Sequence, residues 1–152
     1  MPANEVITVK RVYVNEKWCL GCHLCEYNCE FSNSGLDRIT KLKGVKINPR
    51  VRVEGSDTSE IHFAVSCRHC EDPLCMKGCI AGAISRDDNG TVVIDKNKCV
   101  GCFTCVAMCP YGAVMPDSDG KSAKKCELCT ANGRKPACVE GCPNGAIVFE
   151  ER

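Results

Sequence analysis

Aromatic residues are scarce in this 152-residue chain: four Phe, three Tyr and one Trp. The aliphatic residues that remain can build one modest core or two very small ones, so apolar burial alone does not account for a stable fold. An excess of charge of one sign is missing as well. Twenty Lys and Arg stand against nineteen Asp and Glu, a formal net charge of +1, which argues against a nucleic-acid binder led by charge. No apolar run approaches the length needed to cross a bilayer, so the sequence does not describe a membrane-spanning subunit. Met1 to Val14 contains no basic stretch followed by an apolar one and no twin-arginine pair, which predicts a cytoplasmic location where thiols stay reduced. There is no glycine-rich nucleotide fingerprint, and no catalytic carboxylate pair or serine triad can be argued.

What the chain has in excess is cysteine, sixteen in all. That density marks a cysteine-dependent scaffold held by disulfides or by metal. In a reduced compartment eight disulfides are the lesser reading. The spacing says more than the count. Cys19, Cys22, Cys25 and Cys29 read C-x2-C-x2-C-x3-C, and Cys99, Cys102, Cys105 and Cys109 repeat that spacing, with Pro110 following. Cys67, Cys70, Cys75 and Cys79 read C-x2-C-x4-C-x3-C, and Cys126, Cys129, Cys138 and Cys142 read C-x2-C-x8-C-x3-C. Four groups of four leave no cysteine over.

The two C-x2-C-x2-C-x3-C runs match the bacterial signature for [4Fe–4S] ligation. Three cysteines two residues apart can curl a loop around one cluster with backbone N–H groups aimed at its sulfurs. The fourth starts a helix and points away, and in two-cluster ferredoxins it ligates the other cluster. Motifs then come in pairs, and four motifs predict four clusters. Zinc is the alternative for any cysteine quartet. Only the group at Cys126 remotely allows a zinc ribbon, with Cys138 and Cys142 as a wide second knuckle.

An internal repeat follows three of the four final cysteines: Cys79-Ile-Ala-Gly-Ala-Ile84, Cys109-Pro-Tyr-Gly-Ala-Val114 and Cys142-Pro-Asn-Gly-Ala-Ile147. Each predicts a short helix ending at the glycine and a strand starting at the last aliphatic residue. Residues 83–95 read as a β-hairpin turning at Asp88-Asn89-Gly90. Val51–Val53 and Ile61–Val65 read as a second hairpin around Gly55 to Ser59. The first motif lacks the repeat, since Glu30-Phe31-Ser32 follows Cys29, so its return strand comes from elsewhere. Ile7–Val14 and Ala146–Phe149 are both strand-like. If the first and last motifs pair, these terminal strands lie side by side and the second and third motifs form a unit nested between them.

The segments KWCLGCHLCEYNC and KKCELC…PACVEGCPNGAI, with four quartets in nested order, resemble the four-cluster ferredoxin-like electron-transfer subunits of molybdenum and tungsten oxidoreductases, carbon monoxide dehydrogenases, formate dehydrogenases and group-4 hydrogenases. The resemblance runs from about Val12 to Phe149 and looks closest to the small subunit of tungsten aldehyde oxidoreductases. It implies an α+β fold of two nested dicluster ferredoxin units with short helices, β-hairpins and an inserted hairpin. Residues 1–29 plus 126–152 would form the outer unit, 30–66 the insertion and 67–125 the inner unit. It also implies the ligation: Cys19, Cys22 and Cys25 with Cys142; Cys126, Cys129 and Cys138 with Cys29; Cys67, Cys70 and Cys75 with Cys109; Cys99, Cys102 and Cys105 with Cys79.

Full thiolate ligation leaves no open iron position for a substrate, so no catalytic residue is expected and the chain is expected to move electrons. The implied partner is a larger tungsten, molybdenum or nickel–iron catalytic subunit in a hetero-oligomer, with a flavin subunit or soluble ferredoxin at the other end. An aldehyde oxidoreductase leads among these, ahead of carbon monoxide dehydrogenase, hydrogenase, formate dehydrogenase or an aromatic-ring reductase. A free polyferredoxin is a further alternative. His23 and His69, inside cysteine motifs, read as surface or packing histidines before they read as donors to cluster sulfur. Trp18 reads as a shield over the first site, and Pro73 and Pro136 as loop-shaping residues. Four clusters at roughly −2 each would turn the formal +1 into a net charge of roughly −7. Two basic stretches oppose that field: Arg38, Lys41, Lys43, Lys46, Arg50 and Arg52, and Lys121, Lys124, Lys125, Arg134 and Lys135. They read either as a solvated surface or as groups that raise nearby potentials or dock a partner.

Overall fold

The two ends of the chain lie side by side in this computed structural model, which describes residues 9–55, 58 and 60–152. Strand β1 (Lys10–Val14) pairs antiparallel with β8 (Ile147–Glu151), Val12 opposite Phe149 and Val14 opposite Ile147. The predicted start of β1 at Ile7 and Thr8 lies outside the described residues. Three further two-stranded antiparallel sheets occur among them: β2 (Arg52–Gly55) with β3 (His62–Val65), β4 (Ile84–Arg86) with β5 (Val92–Ile94), and β6 (Met115–Pro116) with β7 (Ala123–Lys124). Of the expected turn between β2 and β3, Ser56, Asp57 and Ser59 lie outside the described residues. Strand β6 is the one expected after the Cys109 repeat; its partner β7 was not expected, because two residues at Ala123–Lys124 carry no alternating pattern.

Among the described residues four α-helices and two short 3-10 helices (Ile39–Leu42 and Thr130–Asn132) complete the fold, the α-helices being α1 (Leu24–Ser34), α2 (Leu74–Lys77), α3 (Thr104–Met108) and α4 (Ala137–Glu140). Pro73 precedes α2 and Pro136 precedes α4, where a missing N–H is no loss, and Gly78 and Gly141 close them. The repeat glycines Gly82, Gly112 and Gly145 share one left-handed value, φ +61°. Strands begin at Ile84 and Ile147 as expected, and one residue late, at Met115, in the Cys109 copy.

The helices pack in two pairs, α1 on α4 and α2 on α3. Each contact depends on a glycine beside a cysteine. A methyl group at Gly141 would lie 2.2 Å from Asn28 Nδ2, and one at Gly78 would lie 3.0 Å from Met108 Cγ. These are equivalent positions, since Asn28 precedes Cys29 as Met108 precedes Cys109. The close approach therefore brings the last cysteine of one motif towards the last cysteine of its partner.

Two small cores result. One joins Val12, Val51, Ala64, Leu128 and Ile147 to Cys25, Cys29 and Cys138; the other joins Ile84, Val92, Ile94, Val114 and Ala123 to Cys75 and Cys105. The insertion is part of the first core through Val51 and Ala64. It is tied to distant segments by Arg50 to Glu127 (3.3 Å) and Arg52 to the Gly112 carbonyl (2.8 Å). Both cores are part cysteine, so the aliphatic burial they offer is limited. The architecture is that of a small ferredoxin-like α+β domain with few helices and small antiparallel sheets.

Candidate metal centres

Every motif opens with the same backbone device. The residue two after the first cysteine is left-handed in all four: Gly21 (φ +65°), His69 (φ +45°), Gly101 (φ +71°) and Leu128 (φ +54°). That turn points the chain's amides inward. The His69 N–H donates to Cys67 Sγ at 3.4 Å, and the Leu128 N–H donates to Cys126 Sγ at 3.5 Å. Glycine is required in the first and third motifs by crowding as well: a methyl group at Gly101 would meet the Lys121 carbonyl oxygen at 2.5 Å. In the other two, a side chain instead fills the interior, and His69 and Leu128 are both wholly buried. Left-handed non-glycine backbone of this sort is costly and persists where the surroundings demand it.

The cysteines gather in fours that cross the motifs. Cys19, Cys22, Cys25 and Cys142 line one cavity. Cys79, Cys99, Cys102 and Cys105 line a second, and Cys29, Cys126, Cys129 and Cys138 a third. The three cavities are alike in size and in their thiol lining, which suits one kind of guest in all three. The remaining four are drawn together too, because the Cys75 thiol feels the charge of Cys67 and Cys109, and Cys70 feels the same two. Cys22 and Cys102 are exposed, while the other fourteen cysteines are half-buried or buried.

The donor set fits iron–sulfur chemistry. All four groups are purely thiol, soft ligands suited to such clusters. Amide donors reach the crossing cysteines as well, Arg50 N–H to Cys29 Sγ and Ala83 N–H to Cys79 Sγ, each at 3.3 Å. Among the described residues no three His, Cys, Asp or Glu side chains converge as ligands on one metal ion.

Protonation follows burial. Burial and then the neighbouring Glu26 charge push the Cys25 thiol up to about 12. Burial pushes Cys126 up to about 12, against the pull of the Leu128 N–H, and raises Cys29 and Cys138. Cys102 moves the other way, lowered by the Thr104 hydroxyl, which donates to its sulfur at 3.5 Å, and by the Thr104 backbone.

The two motif histidines part ways. His23 is exposed, with Nδ1 at 2.8 Å from Glu26. His69 is a packing residue: Nδ1 accepts the Val92 N–H at 3.1 Å, and burial followed by nearby cations pushes its pKa down to about 2. The ring of Trp18, expected to shield the first site, is more than half exposed. The basic stretches are not simply solvated. Lys124 is buried and donates to the Asn48 carbonyl; Lys125 is wholly buried; Arg50 and Arg134 pair with Glu127 and Asp87. The sequence reading missed Glu127, which binds Arg50 and accepts the Ile94 N–H at 3.1 Å, because a lone glutamate in C-E-L-C carries no pattern of its own.

The family described as the 4Fe-4S dicluster domain matches residues 58–152. The electron transfer subunit PhsB of thiosulfate reductase from Salmonella typhi is 36% identical over 139 residues, covering 89% of this chain and 72% of that one. AegA of Escherichia coli (strain K12) is 36% identical over 143 residues, and 90% of this chain spans only 21% of that much longer protein. Among solved structures, the active site complex BamBC of benzoyl coenzyme A reductase aligns over 95% of this chain and 78% of its own, with a TM-score of 0.51 at 22% identity. That last likeness is one of fold.

Proposed function

Since the chain belongs to the 4Fe-4S dicluster domain family and is an electron-transfer iron–sulfur subunit rather than a catalytic one, we propose that it relays electrons through four [4Fe–4S] clusters to or from a larger catalytic oxidoreductase subunit. The four cavity-forming and clustered cysteine groups are the ligand sets: Cys19, Cys22, Cys25 and Cys142; Cys29, Cys126, Cys129 and Cys138; Cys67, Cys70, Cys75 and Cys109; Cys79, Cys99, Cys102 and Cys105. This ligation divides the chain into an outer unit of residues 1–29 and 126–152 and an inner unit of 67–125, joined by the insertion 30–66. The β1–β8 pair and the two helix pairs support it. Bound clusters supply one-electron transfer, and the protein holds them in a low-dielectric, amide-lined setting.

The observation that carries the reading is the split in exposure. Cys22 and Cys102, the exposed cysteines, belong to different quartets in different units. Trp18, Leu20 and Leu24 stand exposed around the first, and Ile80 and Val100 around the second. In the quartets containing Cys126 and Cys67 no cysteine is exposed. A row with two surface ends suits a subunit that connects a buried active site to a second protein, whereas a free shuttle needs only one. No helix among the described residues is long and apolar enough to cross a membrane.

The partner we propose is a molybdenum or tungsten enzyme in a hetero-oligomer, in the cytoplasm, with a ferredoxin or flavin subunit at the other end. The PhsB likeness favours a thiosulfate-type reductase as that enzyme at least as much as an aldehyde oxidoreductase. The test is anaerobic native purification of the tagged chain. The expected result is a brown, redox-active complex with a larger molybdenum- or tungsten-containing subunit, from which the isolated chain converts no organic substrate. Recovery of the chain alone at low and moderate salt alike would favour the free polyferredoxin.

A further inference from the structure

Lys125 has no exposed surface and no carboxylate partner among the described residues. Its ammonium donates to the Val92 carbonyl on β5 and to the Cys126 carbonyl at 3.0 Å, so it bridges the two units. The acidic groups around it are engaged elsewhere. Glu127 holds Arg50 and the Ile94 N–H, Asp87 holds Arg134 at 3.4 Å, and Asp117 holds Lys96 and, at 3.9 Å, Lys124. An isolated ammonium kept out of water is strongly disfavoured unless negative charge lies close by.

The cysteine groups supply that charge. Burial raises the Cys75 and Cys126 thiols, one from each interior quartet, and in both the Lys125 charge opposes that rise. Val92, whose carbonyl the lysine holds, packs with Cys75 in one core and donates its N–H to His69 between Cys67 and Cys70, so the ammonium links the Cys126 quartet to the Cys67 quartet. With four thiolates, an oxidised cluster carries roughly −2, and reduction adds one more negative charge. A cation held close stabilises the reduced form more than the oxidised one, and a dry setting strengthens the effect.

We propose that Lys125 is the shared counter-cation of the two interior quartets, holding up the reduction potentials of both while leaving the two outer ones largely unaffected. In each reduction one electron arrives from the neighbouring cluster, which is thereby oxidised, and no bond is made or broken. Lys125 is a positioning residue in this sense, acting through its charge. The inference rests on the ligation proposed above. Iron and sulfide analysis of the unaltered protein separates the two: a wild-type chain without four clusters removes the ligation reading itself.

The experiment is a redox titration followed by electron paramagnetic resonance on the intact protein, comparing wild type with Lys125→Met, Lys125→Gln and Lys125→Arg. Gln can still donate to the Val92 and Cys126 carbonyls but carries no charge; Arg keeps the charge. With Met and Gln, two of the four midpoint potentials should fall and two should hold, and with Arg all four should stay near wild type. If the neutral variants lose iron instead, the loss should be confined to the interior pair, half the total, and Arg should retain it. Unmoved potentials in iron-replete Met or Gln variants overturn the proposal. So do wild-type potentials restored by Gln, potentials in the Arg variant shifted as far as in Met, or iron loss spread evenly over all four sites.

Discussion

Cys29 stands on α1 in the first motif, yet its sulfur lines a cavity with Cys126, Cys129 and Cys138 of the last. The reason is local: α1 continues past Cys25, and Cys29, four residues on, lies on the same face one turn further along, beside α4. Replacing Cys29 by Ala should therefore remove or convert the cluster of Cys126, Cys129 and Cys138 and spare that of Cys19, Cys22 and Cys25. Iron analysis with site-resolved paramagnetic spectra checks it, and damage confined to the first motif would show that each motif closes its own site. The same residues set a pH dependence. Thiols raised by burial in the fold, such as Cys25 and Cys126 at about 12, hold their protons throughout the neutral range unless iron displaces them. Each must release a proton to bind iron, so cluster binding weakens as pH falls. Iron retention measured against a chelator should be highest at mildly alkaline pH and decline steadily on acidification. A flat profile from pH 8.5 to 5.5 would contradict the sign.

The left-handed turn is the feature that makes each motif a motif, and here the sequence was legible only in part. Gly21 and Gly101 announce it, because glycine between two cysteines is a turn signal. His69 and Leu128 hide it, because neither is a turn signal in sequence and a branched leucine at positive φ is held there only by tertiary packing. For the same reason Lys125 reads as part of a basic stretch in the sequence and as a buried cation in the structure. Nothing local distinguishes it from Lys121. The hairpins of residues 84–94 and 52–65 and the terminal strand pair were legible, since alternation and turn residues are local signals. The packing glycines were not: Gly78 and Gly141 look like ordinary helix ends until Met108 and Asn28 are seen against them. At this scale Gly101→Ala is the informative substitution. It forces a Cβ onto φ +71° and to 2.5 Å from the Lys121 carbonyl oxygen, a backbone atom that cannot swing aside. The expected cost is about 2 kcal/mol or more. It should appear as loss of the quartet at Cys79, Cys99, Cys102 and Cys105 before the others. Gly133→Ala, equally left-handed but with open space around it, should cost less and leave all clusters in place. Denaturant midpoints and iron content of the two variants decide the matter.

At the scale of the whole molecule the cysteines do the work that aliphatic residues do elsewhere. Cys25, Cys29 and Cys138 sit in one core and Cys75 and Cys105 in the other, beside five aliphatic residues each. Burying five such side chains stabilises each core by roughly 7–15 kcal/mol, which cannot by itself offset the conformational entropy of the segments they order. Cross-linking supplies the rest. Cys142 meets Cys19 across nearly the full chain, and Cys109 meets Cys67 across the inner one. Removing the clusters undoes both effects together, because it cuts those links and leaves the sulfurs as isolated thiols lining cavities. Binding free energy at such sites is folding free energy. Chelation or oxidation should therefore unfold the chain cooperatively, with circular dichroism and visible absorbance lost in one transition and about sixteen iron released per chain. An apo-protein that kept its native circular dichroism would show that the two small cores suffice. The electrostatics point the same way, since Lys125 and Lys124 are buried beside sites whose negative charge disappears with the metal. The apo-chain should then be destabilised further at low ionic strength, where cations meeting in the emptied interior are least screened. Partial refolding on adding salt to the apo-chain, without iron, is the expected sign of it.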